Sequence, residues 1–356
     1  MAKIVLIADT HYGVRNDNVN YYNYFAKFFD KVFFPYLKKN KIDKVVHLGD
    51  VVDRRKYINF LTAHNLRKTF LQPLEDMGME MDIIVGNHDT FYKNTNQINA
   101  IDEVVRRYKN INFYKDPEEV DLFGVQTLYL PWICKDNHKQ SMDMIKLSES
   151  RLCIGHLEIE GFTMHPGQLS KEGLSASIFK KFEKTLSGHF HHRSDSNGIY
   201  YLGCPYQMNW SDYGYVKGFH VLDTETLELT FVENPYDIYT KYIVDGSGKY
   251  KKKPLKEEDV KDHYIRVVVK EKDNVEEFDD FIGEIESFSP LEVKIVDETM
   301  IYQERSSDVD LDNIENTREI MDRYVDMIET DVDLDKLKKK IHDIYPIHPD
   351  VERLMA

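Results

Sequence analysis

Five short apolar runs in this chain end abruptly in residues that bind metals through nitrogen or oxygen. That pattern restricts the possible folds more than any other feature. Ile4 to Ala8 runs into Asp9-Thr10-His11, and Lys44-Val45-Val46-His47 runs into Leu48-Gly49-Asp50-Val51-Val52-Asp53. Met81 to Val85 leads to Gly86-Asn87-His88-Asp89, Arg151 to Gly155 delivers His156, and Lys184 to Gly188 delivers His189-Phe190-His191-His192. Continuous β-branched runs are what strands covered on both faces look like. Helical periodicity over 19–39, 58–77 and 97–108 separates the first of them. Strands alternating with helices predict a parallel α/β sheet, which gathers its ligands at the carboxyl ends of its strands.

Any one of these residues has an ordinary explanation: Asp50 after Gly49 is a turn former, and a single histidine is most often a core residue with its hydrogen bonds met. The set is harder to explain that way. Asp9, His11, Asp50, Asn87, His156, His189 and His191 are all nitrogen or oxygen donors, which suits manganese, iron or zinc. Seven such ligands around one carboxylate are enough for two cations about 3.5–4 Å apart. A cation pair lowers the pKa of a bridging water and clamps phosphate oxygens for in-line attack, so a phosphodiester is the natural substrate. His192 points to the opposite side if its segment is extended and is expected in a supporting or surface position. The stripe Tyr21, Tyr24, Phe25, Phe28, Phe29 and Phe33 is expected to be helix core rather than a base-stacking surface.

With 356 residues the chain exceeds one ordinary core. Three domains are expected: 1–232 carrying the ligands, a small strand–helix–strand unit over 233–300, and a tail over 301–356. The tail has two amphipathic helical patterns, one with Ile314, Met321 and Tyr324, the other with Leu334, Leu337 and Ile341. Net charge is −15, but residues 297–356 hold 17 acidic against 8 basic residues, so the acidity concentrates in that tail. Cys134, Cys153 and Cys204 are odd in number and far apart, which argues for a reducing compartment, most simply the cytoplasm. No signal-peptide pattern or membrane-length apolar run is present, so no membrane partner is expected. Lys251-Lys252-Lys253 is a candidate phosphate contact for DNA.

The combination Asp9-x-His11, Gly49-Asp50-x-x-Asp53, Gly86-Asn87-His88-Asp89, Gly155-His156 and Gly188-His189-x-His191 resembles the complete metallophosphoesterase motif series. Order, spacing and tail are most similar to the SbcD-type recombination nucleases, the phage-type members above all. The resemblance implies a four-layer αββα sandwich with a small α/β capping domain and a C-terminal helical tail. It implies one metal on Asp9, His11, Asp50 and His191 and a second on Asp50, Asn87, His156 and His189, both most simply manganese, with magnesium as the alternative. His88 is then a catalytic group beside the scissile phosphate, oriented by Asp89, and Asp53, which stands where many cellular relatives carry His, joins these two as a candidate catalytic or supporting residue. It further implies a DNA exonuclease and endonuclease that works in recombination and repair with an SbcC-type ABC ATPase docked on the tail. Helices 58–77 and 97–108 resemble those of the family's homodimer interface. The rivals are a phosphatase or small-molecule phosphodiesterase on the same fold, and a scaffold that has lost its metals. The first lacks its usual Gly-Asp-x-x-Asp-Arg-Gly and Gly-Asn-His-Glu here, and the second is opposed by the intact ligand set.

Overall fold

The computed structural model describes residues 2–165, 168–245, 255–271, 275–298, 325 and 334–344. Lys251, Lys252, Lys253, Ile314, Met321 and Tyr324 lie outside these residues, as does the side chain of Ile341. The chain divides into two units, Met1–Asp297 and Glu298–Ala356.

The first unit is built on two six-stranded sheets. One has the spatial order Leu229–Glu233, Gly218–Asp223, Lys3–Ile7, Lys44–His47, Glu80–Ile84, Ile111–Tyr114, the last four parallel. The other has the order Ser194–Ser196, Ile199–Tyr201, Lys184–Gly188, Leu152–His156, Val125–Leu130, Glu118–Leu122, with the middle four parallel. Alternation along each strand sorts side chains into layers. Ile4, Leu6 and Val46 meet Tyr129, Leu152, Ile154 and Leu186 between the sheets. Val5, Ile7, Val45 and Ile83 face the helices on one outside, and Leu128, Leu130 and Cys153 face those on the other. Helix, sheet, sheet and helix layers follow, with the central strands of both sheets buried on both faces as their sequences require.

The aromatic stripe is core: Tyr21, Tyr24, Phe25, Phe28, Phe29 and Phe33 are all buried. Its helix runs as Val19–Phe28, a π-turn Phe29–Phe33, and Phe34–Asn40. The helix predicted over 58–77 does the same, as Phe60–Leu66, a π-turn Arg67–Leu71 and Gln72–Asp76. Each π-turn sits just before a proline, Pro35 or Pro73, whose ring would clash with the carbonyl four residues back in a regular helix. Widening that turn relieves the clash, so neither proline ends its helix. The two widened turns pack together through Phe29 and Phe70, ring centroids 4.9 Å apart.

Three local expectations need correction. Residues 97–99 are not helical: Thr95–Asn99 is a strand, and the helix is Ala100–Val105, capped by the Asn99 side chain. The apolar spacing that marks helices over 58–77 and 97–108 includes Leu61 and Ile98, yet these are 53% and 56% exposed. The smaller α/β part has a strand that periodicity missed, Tyr239–Asp245, parallel to the central strand Tyr264–Glu271. Helix Val275–Ser287 lays Phe278, Phe281 and Ile285 on Ile265, Val267 and Val269, and Glu292–Asp297 completes the sheet. This part rests on the aromatic helix, where the Tyr21 ring stacks on Tyr264 at 5.5 Å and the Tyr21 and Tyr239 hydroxyls hydrogen-bond. In the second unit Leu334–Ile344 is helical, as its apolar spacing predicts. Among the described residues no helix is long and apolar enough to cross a membrane.

Candidate metal centre

All seven expected ligands converge where the parallel strands of both sheets end. His156 is the last residue of its strand, and Asp9, Asp50, Asn87 and His189 follow theirs within one to three residues. Four of these positions are held in a backbone region that side chains rarely adopt, with φ of 54° at Asp9, 42° at His11, 56° at Asp50 and 88° at His189. Strain of this kind costs on the order of 1–3 kcal/mol per residue and persists only where the surroundings enforce it. Gly86 is part of the enforcement, since a methyl group there would collide with the Asp50 amide and carboxylate.

The side chains fall into two sets, Asp9 with His11 and His191, and Asp50 with His156 and His189. Asp50 Oδ2 joins them, 3.3 Å from His156 Nε2 and 3.8 Å from His11 Nε2. His11 Nε2 and His191 Nε2 face each other at 3.0 Å, and Asn87 Oδ1 lies 2.8 Å from His156 Nε2 and 3.0 Å from His189 Nδ1. His156 Nδ1 donates to the Leu48 carbonyl at 2.8 Å, which reserves Nε2 for the cluster.

The charge states of these groups follow from burial and from their closeness to one another. Burial disfavours the cationic form of His11, but the nearby carboxylates of Asp53, Asp50 and Asp9 raise its pKa to about 9. Burial likewise opposes His156, and Asp50 and Asp9 carry it to about 9. His189 is driven to about 3 by burial and by the neighbouring histidine charges, and His191 falls well below its usual value for the same reasons. Burial raises Asp9 to about 7. For Asp50 burial is again the largest influence, yet the histidines around it hold its pKa well below the ordinary carboxylate range. Each set thus joins a histidine that favours its charged form, His11 or His156, to one that favours its neutral form, His191 or His189. Two close sets of buried nitrogen and oxygen donors that share Asp50 fit two divalent cations.

His88 stands beside the first set, its ring 4.9 Å from that of His11. Its amide donates to Asp50 Oδ1 at 2.7 Å, and its Nδ1 meets the Asp53 carbonyl oxygen at 2.5 Å. His11, Asp53 and His88 form a third close group, with Asp53 Oδ1 3.5 Å from His11 Nδ1. Asp89 is not the partner of His88 that was expected. Its buried carboxylate accepts from the amides of Asp50, Val51, Val52 and Gly86, all at 2.9–3.1 Å, and so pins the Asp50 loop to the Gly86 loop. The Asp53 backbone, not Asp89, orients His88.

His192 is buried and turned from the cluster, its Nε2 3.8 Å from Asp212 Oδ1. Three neighbours escaped sequence reading. Lys217, buried, donates from Nζ to Asp212 Oδ1 at 2.5 Å and to the His191 carbonyl at 2.9 Å, so an ion pair backs a ligand loop. Trp132 walls the second set, its ring 5.2 Å from that of His189. Arg55 approaches Asn87 from outside the cluster. The one sequence signal for Trp132 is its place just past a strand, after Pro131, and Lys217 and Arg55 had none.

The calcineurin-like phosphoesterase family matches residues 2–210. The chain is 30% identical to exonuclease subunit 1 of Enterobacteria phage T4 over 346 residues, covering 96% of this chain and 98% of that one. It is 24% identical over 207 residues to the DNA double-strand break repair protein Mre11 of Sulfurisphaera tokodaii, covering 54% of this chain and 49% of the relative. It is 25% identical over 264 residues to the SbcD subunit of the SbcCD nuclease from Staphylococcus epidermidis, covering 65% and 69%. A match that spans most of the chain, on a four-layer sandwich whose strand ends carry the motif residues, makes this chain a member of the calcineurin-like phosphoesterase family.

Proposed function

We propose that the chain is a metal-dependent DNA nuclease that hydrolyses phosphodiester bonds with two divalent cations, most simply manganese. Asp9, His11, Asp50 and His191 would hold one cation, and Asp50, Asn87, His156 and His189 the other. The observation that carries this reading is the single oxygen Asp50 Oδ2 lying between the two histidine sets. When bound, the pair would activate a shared water and neutralise charge on the phosphate. His88 handles a proton: the Asp53 carbonyl fixes the hydrogen on Nδ1 and leaves Nε2 to exchange one with the leaving sugar oxygen. Relatives named as an exonuclease, a double-strand break repair protein and a nuclease subunit favour DNA over a phosphoprotein.

Purified protein given manganese should cleave labelled duplex DNA and leave a phosphopeptide and a cyclic nucleotide largely intact. Preference for either small substrate would move the protein to the phosphatase or small-molecule phosphodiesterase class.

Because His11 and His156 hold protons up to about pH 9 in the protein alone, each cation must displace one. Lower pH favours the proton, so manganese affinity should rise with pH between 6 and 9. Calorimetry in buffers of different ionisation enthalpy should report proton release on binding, and a pH-independent affinity would contradict the ligand assignment.

Partners follow from the same reading: a homodimer through the helices near 58–77 and 97–108, and an SbcC-type ATPase on the tail, with Lys251, Lys252 and Lys253 contacting DNA phosphates. Phe60, 95% exposed at the start of its helix, and the exposed Leu61 and Tyr57 beside it favour an interface there. Removing residues 305–356 should spare manganese-dependent cleavage, since every ligand lies before residue 192, and abolish association with the ATPase. Co-elution of the truncated chain with such an ATPase would discard the docking role.

A further inference from the structure

His191 is oriented differently from His156. The His156 ring is aimed from outside the cluster, by the Leu48 carbonyl. Among the described residues the His191 ring has one hydrogen-bond partner, the His11 ring, which is itself a candidate ligand. Its direction therefore has to come from its backbone. The His191 carbonyl accepts from the Cys204 amide at 3.2 Å, from the Cys204 thiol at 3.4 Å and from Lys217 Nζ at 2.9 Å. Gly203 lets these groups approach, since a methyl group there would lie 3.0 Å from the same carbonyl oxygen.

Lys217 is the charged member of that group. Its buried Nζ donates to Asp212 Oδ1, to the His191 carbonyl and to Cys204 Sγ, the last at 3.3 Å. An ammonium has three N–H groups, so none is left over to meet a substrate. Asp212 is fixed in turn, because its Oδ2 accepts the Met208 and Asn209 amides at 2.9 and 3.1 Å and its carbonyl accepts from Gln207 Nε2 at 3.4 Å. Stability alone is a weak reason to bury such a pair, since apolar replacements are often no less stable. Its place behind a ligand whose ring has no partner outside the cluster is a stronger one.

We propose that Lys217 is a positioning residue for one cation of the pair: by holding the His191 carbonyl it aims the His191 ring at the set formed with Asp9, His11 and Asp50, and it leaves the other set to its own anchors. This role rests on the two-cation reading above. It gives the buried ion pair an effect on one metal rather than on the fold at large.

The test uses the full-length chain, titrated with manganese in a calorimeter and followed by electron paramagnetic resonance. Lys217→Met should keep one manganese at wild-type affinity and bind the other about 10- to 100-fold more weakly, the usual cost of removing a group that orients a ligand. At manganese concentrations that fill the wild type, the signal of a coupled pair should give way to that of an isolated ion. Lys217→Arg, which keeps a charged donor, should restore the weakened step in part. Lys217→Met/Asp212→Asn leaves no unpaired charge and keeps an oxygen for the Met208 and Asn209 amides, so it should recover melting temperature without recovering that step. In His191→Ala the same step is weak, and adding Lys217→Met should weaken it no further. Steps that are unchanged or equally weakened in Lys217→Met, or full recovery of both in the Asp212→Asn double variant, make the ion pair a purely structural one and overturn the positioning role. Additive losses with His191→Ala overturn it as well. A wild type that takes up fewer than two manganese ions overturns the two-cation reading and the positioning role with it.

Discussion

Replacing Asp50 by Ala is expected to bring hydrolysis below detection and to cut bound manganese from two equivalents to one or fewer. The reason is the double use of one carboxylate. Oδ2 lies between His156 and His11, so both candidate ligand sets lose a member at once, while Oδ1 accepts the His88 amide, so His88 loses its anchor. Asp50→Asn keeps the shape and one oxygen but removes the charge, and it should retain more metal than the Ala variant and almost as little activity. Metal analysis after gel filtration, beside a cleavage assay, checks both variants. Two full equivalents with normal cleavage in Asp50→Ala would end the shared-ligand assignment.

His88→Asn should show the opposite split. Manganese content is expected to stay near two equivalents while turnover drops by roughly 10²- to 10⁴-fold, the range in which general acid–base groups contribute. The imidazole is tied through Nδ1 to the Asp53 carbonyl, outside the two sets joined by Asp50 Oδ2. Burial lowers the His88 pKa from its ordinary value, with the Asp50 charge opposing. The protonated ring, the form that can give a proton from Nε2 to the leaving oxygen, is therefore favoured only toward lower pH, and this titration should lower wild-type turnover as pH rises. The residual activity of His88→Asn should have lost the rise or fall that this titration imposes on the wild-type pH profile. A variant that lost one manganese would instead make His88 a ligand in the third group with His11 and Asp53.

Several features of this site could be read before any coordinates. Strands buried on both faces announce themselves as unbroken apolar runs, and a polar residue that ends such a run lands at the sheet's edge whatever the rest of the chain does. Asp9, Asp50, Asn87, His156 and His189 were legible for that reason. The aromatic stripe from Tyr21 to Phe33 was legible because a 3.6-residue period survives the π-turn that Pro35 imposes. The strand Tyr239–Asp245 was not legible. Its sequence, Tyr-Thr-Lys-Tyr-Ile-Val-Asp, mixes polar and apolar residues without strict alternation, and only pairing with Tyr264–Glu271 makes it a strand. Ile98 and Leu61 misled for a related reason, since spacing marks a stripe but not whether anything covers it.

The sequence by itself determined the kinds of candidate ligand, their order and the layered α/β architecture, because residue type and period are local properties that the strand geometry converts directly into position. The tertiary structure alone decided what each group does once there. Asp89 sits next to His88 in the chain, yet its oxygens are taken by amides 3 to 39 residues away, and a backbone carbonyl from the Asp50 loop holds the imidazole instead. Lys217 reaches the His191 carbonyl across 26 residues and Arg55 meets Asn87 across 32, distances over which no periodicity carries information. Hydrogen-bond roles and charge states depend on which donors and acceptors close the few ångströms around an atom, and that is settled only when separate strands are brought to one edge.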